Sequence, residues 1–245
     1  MISVCMLTKN SEATLAETLD SLKDFDEVVI LDNGSTDSTL DRAKRYANVR
    51  VERMPFIGFG KLRNEASRFA KHDWILAIDS DEILSPPLLA ELKILKLDPN
   101  CVYSIPRHNF YNGKQIRGCG WGNEKVVRLY HRKQARFGDA DVHESLDAKN
   151  LKIVPLKSPL LHTPYRSTSD FLAKMQHYST LFAKQNQGKK TSSFGKALGR
   201  GLFAFFRSYI IKGGWRDGKE GFTISVYNGN TAFYKYLKLA EANSS

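Results

Sequence analysis

Through the first hundred residues, short apolar runs alternate with segments whose hydrophobic residues recur at helical spacing. This is the rhythm of β-α units assembling a largely parallel sheet. Strands are expected at residues 2–7, 27–31, 49–53, 74–78 and 102–105. Between them Leu15, Leu19 and Leu22 mark one helical face, Leu40, Ala43 and Ala47 a second, and Leu62, Ala66, Phe69 and Ala70 a third. Ser11 and Asp37 suit N-caps, and Pro86-Pro87 suits the first turn of a helix ending near Lys96, where proline's missing amide costs nothing.

After Arg107 the pattern changes. Asn112-Gly113 lies between extended stretches and predicts a hairpin turn, followed by a strand at 126–130 and irregular sequence through Asp147. Helices then dominate. Thr168 or Ser169 is positioned to cap a helix carrying Phe171, Met175, Tyr178 and Phe182; residues 188–193 read as a linker; a second helix runs from about Phe194 to Lys212. Gly213-Gly214 and Gly218 interrupt the chain before a final aromatic segment at about 222–239. No internal repeat occurs. Two regions are expected, 1–150 with the α/β pattern and 151–245 with the helical one.

Charge sharpens that division. The net charge of +11 is not spread evenly: residues 1–150 carry 22 Lys+Arg and 22 Asp+Glu, whereas residues 151–245 carry 15 and 4. The whole excess therefore lies in the helical end, which suits an anionic partner such as nucleic acid, a membrane surface or a phosphorylated substrate. The longest apolar run there, Leu202 to Phe206, falls far short of the roughly 20 residues that span a bilayer. The amino-terminal segment lacks a basic flank and meets Thr8-Lys9-Asn10 too early for a signal peptide, so it is expected to be a strand. Cys5, Cys101 and Cys119 form neither a CxxC pair nor a zinc cluster, which points to a reducing compartment and a cytoplasmic location.

Ligands of open α/β sheets bind beyond the carboxyl ends of the strands. Here those ends are Thr8-Lys9-Asn10, Asp32-Asn33-Gly34-Ser35-Thr36-Asp37 and Asp79-Ser80-Asp81-Glu82. An isolated Asp-x-Asp is more often a turn that caps a helix, but its place directly after a buried strand favours chemistry. In an extended segment Asp79 and Asp81 would leave on one side and address one cation or sugar-phosphate. Magnesium or manganese suits such oxygen ligands. Asp32 stands where an acidic residue reads the nucleotide in many such sheets. No GxGxxG follows the first strand and no GxxxxGK[ST] occurs, which excludes the usual dinucleotide and P-loop sites.

The runs Val4 to Asn10 and Val29 to Asp37, with Arg63-Asn64 and Asp79-Ser80-Asp81-Glu82, resemble the nucleotide-sugar half of glycosyltransferase family 2, whose fold is called GT-A. More narrowly, Trp121, Glu124, Val127 to Tyr130, Val142-His143-Glu144 and the segment from Tyr209-Ile210 through Asp217-Gly218 are similar to lipopolysaccharide core β-1,4-glucosyltransferases. The resemblance implies a GT-A-like α/β domain at 1–150, with a mostly parallel sheet flanked by helices, and a helical, basic C-terminal extension for acceptor or membrane contact. It implies an inverting, metal-dependent enzyme that moves a hexose, glucose from UDP-glucose, onto a heptose of the lipopolysaccharide inner core at the cytoplasmic face of the inner membrane.

By the same resemblance, Thr8, Asn10, Glu12 and Asp32 surround the uridine, Arg63 lies near the nucleotide, Asp79 faces the ribose or sugar, and Asp81 holds the metal. Inversion in one displacement also needs a base apart from the metal. Glu144 is the candidate, with Glu124 and Asp141 behind it. His143 could orient Glu144 or reach the diphosphate, although lone histidines such as His143 and His162 are more often structural. Two rivals remain at this level. A nucleotidyltransferase also uses an acidic pair, and a non-enzymatic nucleic-acid binder would use the basic, aromatic end but leave Asp32, Asp79 and Asp81 unexplained.

Overall fold

The structure, a computed structural model, describes residues 1–122, 124–138 and 145–244. Its contacts divide the chain into two compact units, one of residues 1–107 with 124–162 and one of residues 108–123 with 163–245.

The first unit is built on parallel strands β1 (Ile2–Thr8), β2 (Val28–Asp32), β3 (Val49–Arg53) and β4 (Trp74–Asp79), in the order β3-β2-β1-β4. Alternate side chains of these strands feed opposite faces. Val4, Met6, Ile30 and Ile78 pack with Leu15 and Leu19 of α1 (Glu12–Asp20), whereas Cys5, Leu31 and Ala77 pack with Leu62 and Ala66, which lie C-terminal to a short α2 (Thr39–Ala43) on α3 (Phe59–Phe69). Covering both faces explains why Val28 to Leu31 is an unbroken apolar run.

Past β4 come β5 (Glu82–Leu84), α4 (Pro86–Ile94) and β6 (Cys101–Tyr111). As expected, the prolines begin α4. Ser85 caps it by accepting from the Leu88 amide, and the helix stops at Ile94 rather than near Lys96. Then follow β7 (Lys114–Gln115), β8 (Glu124–His131), β9 (Arg136–Phe137), β10 (Leu146–Asp147), β11 (Lys152–Pro155) and β12 (Leu160–His162). Strand β8 enters antiparallel between β4 and β6, and β12 pairs antiparallel with β5.

In the second unit, the β6-β7 hairpin turns at Asn112-Gly113, whose φ angles of 51° and 73° are those of a type I′ turn. Three helices follow: α5 (Thr168–Asn186), α6 (Phe194–Phe206) and α7 (Gly218–Ser244). The cap of α5 is Ser167, one residue earlier than expected, because Asp170 completes a capping box with it. A π-helical turn, Arg207–Ile211, extends α6, and Gly213 and Gly218 take positive φ on either side of a 3-10 turn, Gly214–Asp217. Asp217 is buried and holds the loop after the hairpin, accepting from the Arg117 and Gly118 amides at 3.3 and 2.6 Å.

Candidate functional site

The register of the parallel strands aligns the acidic positions. Thr8 pairs with Asp32 across β1 and β2, and Leu7 pairs with Asp79 across β1 and β4, so Thr8, Asp32 and Asp79 end at one sheet edge. Asp32 is buried. Its carboxylate accepts from the Thr8 hydroxyl at 3.2 Å, from the Gly34 and Ser35 amides at 3.1 and 3.0 Å, and from the Ser35 hydroxyl. Burial alone would raise its pKa, but these donors outweigh burial and hold it below the usual carboxylate range.

The loops after β1 and β2 are tied to each other. The Asn10 amide donates to the Ser35 hydroxyl at 2.9 Å, and the Asn10 side-chain carbonyl accepts from the Thr36 amide at 2.8 Å. The Glu12 carboxylate accepts from the Ser38 amide at 3.0 Å, and Asp37 accepts from the Glu12 amide at 3.2 Å and the Thr39 amide at 3.0 Å. Asp37 thus serves both helices. Ser38 precedes α2, and Ser11 precedes α1 without making a side-chain cap bond. The structure therefore gathers Thr8, Asn10, Glu12 and Asp32 into one polar platform. Asn10 takes φ of 51° to fit it.

The acidic motif behaves differently from a simple extended pair. Strand β4 ends at Asp79, Ser80 and Asp81 form a turn, and the alternation that would align the two carboxylates stops there. Asp79 accepts from Arg63 and Arg128, each at 2.5 Å. Glu82 is completely buried. It accepts from Arg128 at 2.7 Å, from Arg107 at 2.8 Å and, through its other oxygen, from the Asp79 amide at 2.9 Å. Arg107 also grips Glu124 with two hydrogen bonds, at 3.0 and 2.5 Å. Three guanidiniums thus neutralise three carboxylates. Burial would raise the Asp79 carboxyl, but the charges of Arg128 and Arg63 prevail and hold it far below the usual range.

Asp81 stands outside this network. Its carboxylate is about a third exposed and lies 3.5 Å from Nε2 of His162, the last residue of β12. The Asp81 turn is steadied by Ser80, whose hydroxyl meets that of Ser11 at 2.8 Å and whose carbonyl accepts from Thr18 at 3.0 Å. Among the described residues no three His, Cys, Asp or Glu side chains converge as a ready metal cluster.

The family model described as "Glycosyl transferase family 2" matches residues 3–143, the stretch that carries this whole edge apart from His162. The chain belongs to that family. Its relatives include an uncharacterized glycosyltransferase of Rickettsia typhi, 31% identical over 98% of this chain and 86% of the relative. The lipopolysaccharide core biosynthesis glycosyltransferase LpsC of Rhizobium meliloti is 27% identical over 99% of this chain and 93% of its own. Solved structures of like fold include S. aureus TarS 1-349 in complex with UDP-GlcNAc, at a TM-score of 0.51 and 18% identity over 99% of this chain and 89% of that one. The Pyrobaculum calidifontis mannosyltransferase PcManGT, in complex with GDP-Man and Mn2+, gives a TM-score of 0.51 and 16% identity over 98% and 73%. These likenesses support the GT-A fold expected from the sequence.

Of the site residues expected in this glycosyltransferase, Arg63 and Asp79 meet directly, and Asp81 follows Asp79 in the turn after β4. Glu144, and with it Asp141 and His143, lies outside the described residues. Glu124 is described and engaged by Arg107. Sequence reasoning missed Arg107, Arg128 and His162 as members of this edge. Arg128 carried a weak signal, an arginine inside the apolar run Val126 to Tyr130; His162 carried none, because only the β5-β12 pairing brings it back to the motif.

Proposed function

We propose that this glycosyltransferase takes a hexose from a nucleotide-sugar donor, UDP-glucose, and transfers it with inversion to a heptose of a lipopolysaccharide inner core. The observation that carries the donor half is the division of labour within Asp79-Ser80-Asp81-Glu82, where arginines occupy Asp79 and Glu82 while Asp81 faces outward beside His162. In this reading the platform of Thr8, Asn10, Glu12 and Asp32 holds the uridine, Arg63 lies near the nucleotide, and Asp79 offers its remaining lone pairs to ribose or sugar hydroxyls. A carboxylate oxygen and an imidazole nitrogen suit Mg2+ or Mn2+, with the donor's phosphates completing the shell. Asp81 and His162 would hold that ion, which when bound offsets charge on the departing diphosphate.

Glu144 would take the proton of the acceptor hydroxyl as that oxygen attacks the anomeric carbon. Glu124 is the weaker choice, since its carboxylate is already committed to Arg107. The region 1–150 then binds donor and carries out transfer, and 151–245 contacts acceptor and membrane. The acceptor class rests on the likeness to LpsC along nearly the whole chain. A cytoplasmic enzyme held peripherally on the inner membrane fits the exposed apolar residues Leu198, Leu202, Phe203 and Phe206 of α6 beside Lys196 and Arg200. No helix among the described residues is long and apolar enough to cross a membrane. Family membership removes the motive for the nucleotidyltransferase and nucleic-acid readings.

The test is UDP release and thermal stabilisation by UDP with manganese, compared for wild type, Asp81→Ala and His162→Ala. Both variants should keep the unliganded melting temperature, lose the manganese-dependent part of the stabilisation and lose transfer. Full turnover by Asp81→Ala in metal-free buffer would sink the reading.

A further inference from the structure

The second unit contains a cavity of about 500 Å³ lined by Trp121, Arg200, Arg207, Lys212, Asn228 and Tyr236, among others. Its lining has three cations and no carboxylate. From Phe171 to Arg216 the chain contains no Asp or Glu at all. Among the described residues, no acidic group pairs with Arg200, Arg207 or Lys212, in contrast to Arg63, Arg107 and Arg128 of the first unit, each of which meets a carboxylate. Three like charges around one hollow repel one another, so the arrangement leaves a charge unmatched until an anion arrives.

The cations are also positioned. The Lys212 carbonyl accepts from the Cys119 amide at 3.0 Å, and its side chain lies over Gly120; a Cβ at residue 120 would fall 2.5 Å from Nζ. The Arg200 guanidinium rests over the Tyr236 ring at 5.4 Å from its centroid. The Asn228 amide donates to Ser208 at 2.9 Å, which fixes its orientation on the wall. Trp121 supplies a large apolar ring, held near-parallel to Tyr165 at 5.9 Å. Guanidinium and ammonium groups recognise phosphate oxygens, and flat aromatic and amide groups suit a sugar's C–H face and hydroxyls.

We infer that this cavity is a binding site for a phosphoryl group carried on a saccharide. The sugar part rests on the acceptor reading above; the phosphoryl part rests on the cavity alone.

The experiment follows the three tryptophan indole N–H signals, of Trp74, Trp121 and Trp215, by 15N-1H NMR of the full chain titrated with glucose 6-phosphate, glucose and inorganic phosphate. Glucose 6-phosphate should move the Trp121 signal and leave that of Trp74 in place, with glucose at least about tenfold weaker, the difference expected for loss of a charge-assisted hydrogen bond. Inorganic phosphate should bind more weakly than the sugar phosphate. Replacing Arg200, Arg207 and Lys212 together by Gln should weaken glucose 6-phosphate at least tenfold, whereas Lys184, Lys189 and Lys190 changed to Gln, the same charge removed elsewhere, should change it less than twofold. The single variants Arg200→Gln and Lys212→Gln serve if the triple variant does not fold.

An unmoved Trp121 signal, or equal weakening by both triple variants, overturns the site. A Trp121 response to phosphatidylglycerol vesicles that exceeds the response to glucose 6-phosphate, and depends on the same three cations, assigns the phosphoryl to a lipid headgroup and overturns the saccharide. UDP with manganese, added to the same samples, reports the first unit separately: stabilisation kept in the cavity variants shows that only the second unit was altered, and a wild type indifferent to UDP would break the donor reading while leaving this test standing.

Discussion

At the scale of single residues, the charged cluster is the strongest constraint. Arg128 is buried and contacts both Asp79 and Glu82, so removing it leaves the fully buried Glu82 with a single guanidinium partner. Breaking a buried pair from one side typically costs about 3–5 kcal/mol, and Arg128→Met should lose that much in urea unfolding, more than Arg128→Lys. Asp79 sets a pH dependence. Its folded pKa is depressed, so its pairing stabilises the fold above the unfolded carboxyl value of about 4 and is lost as pH falls below that value toward the folded one. Acid unfolding should therefore be less steep in Asp79→Asn than in wild type; parallel curves would assign the acid sensitivity elsewhere. For the proposed base, Glu144→Gln should keep UDP-glucose binding while turnover falls by about two to four orders of magnitude. Donor affinity lost in proportion would make Glu144 a binding residue instead.

At the scale of elements, glycines decide how the helical unit packs. Helices α6 and α7 approach closely where Gly201 faces Gly229: a Cβ at 201 would lie 2.9 Å from Cβ of Phe233, and one at 229 would lie 3.2 Å from the Gly201 carbonyl oxygen. Gly221 is tighter still, its absent Cβ falling 1.9 Å from the backbone oxygen of Gly214. Gly199, on the open side of α6, has nothing near it. Opposite outcomes are expected from one chemical change. Gly199→Ala should stabilise by up to about 1 kcal/mol through helix propensity, whereas Gly221→Ala must displace backbone and should lower the melting temperature by several degrees. Equal effects in calorimetry would refute this account of the packing.

At the scale of the molecule, the charge partition and the exposed apolar residues point the same way. The positive excess sits in the part that also exposes Leu198, Leu202, Phe203, Phe206 and Ile211. Each cation near an anionic surface contributes about 1 kcal/mol, fading within a Debye length, while the apolar side chains contribute attraction that salt does not screen. Wild type should sediment with anionic liposomes and less with neutral ones, partly resisting high salt. Changing the exposed lysines outside the cavity, Lys184, Lys189, Lys190 and Lys196, to Gln should remove the salt-sensitive part, and Leu202→Ser with Phe206→Ser the resistant part. Equal recovery on neutral and anionic liposomes would refute the anchor.

Local pattern was enough for the α/β rhythm, the hairpin at Asn112-Gly113 and the breaks at Gly213 and Gly218, because each depends on neighbours in the chain: alternation or a positive φ. The set Thr8, Asn10, Glu12 and Asp32 came from the family resemblance, and bonds between residues about 25 apart hold it together. Expectation and structure part where partners are distant in sequence. Asp79 and Asp81 look equivalent as an Asp-x-Asp pair, yet Arg63, Arg107 and Arg128, brought in by α3, β6 and β8, bind Asp79 and Glu82 and leave Asp81 to His162. The same holds for the basic end. Its composition suits an anionic partner, but only the packing of α6 and α7 against the loop 119–121 collects Arg200, Arg207 and Lys212 around one hollow. Chain-local energetics can be read from residue order; the matching of charges across the fold requires the long-range contacts that create it.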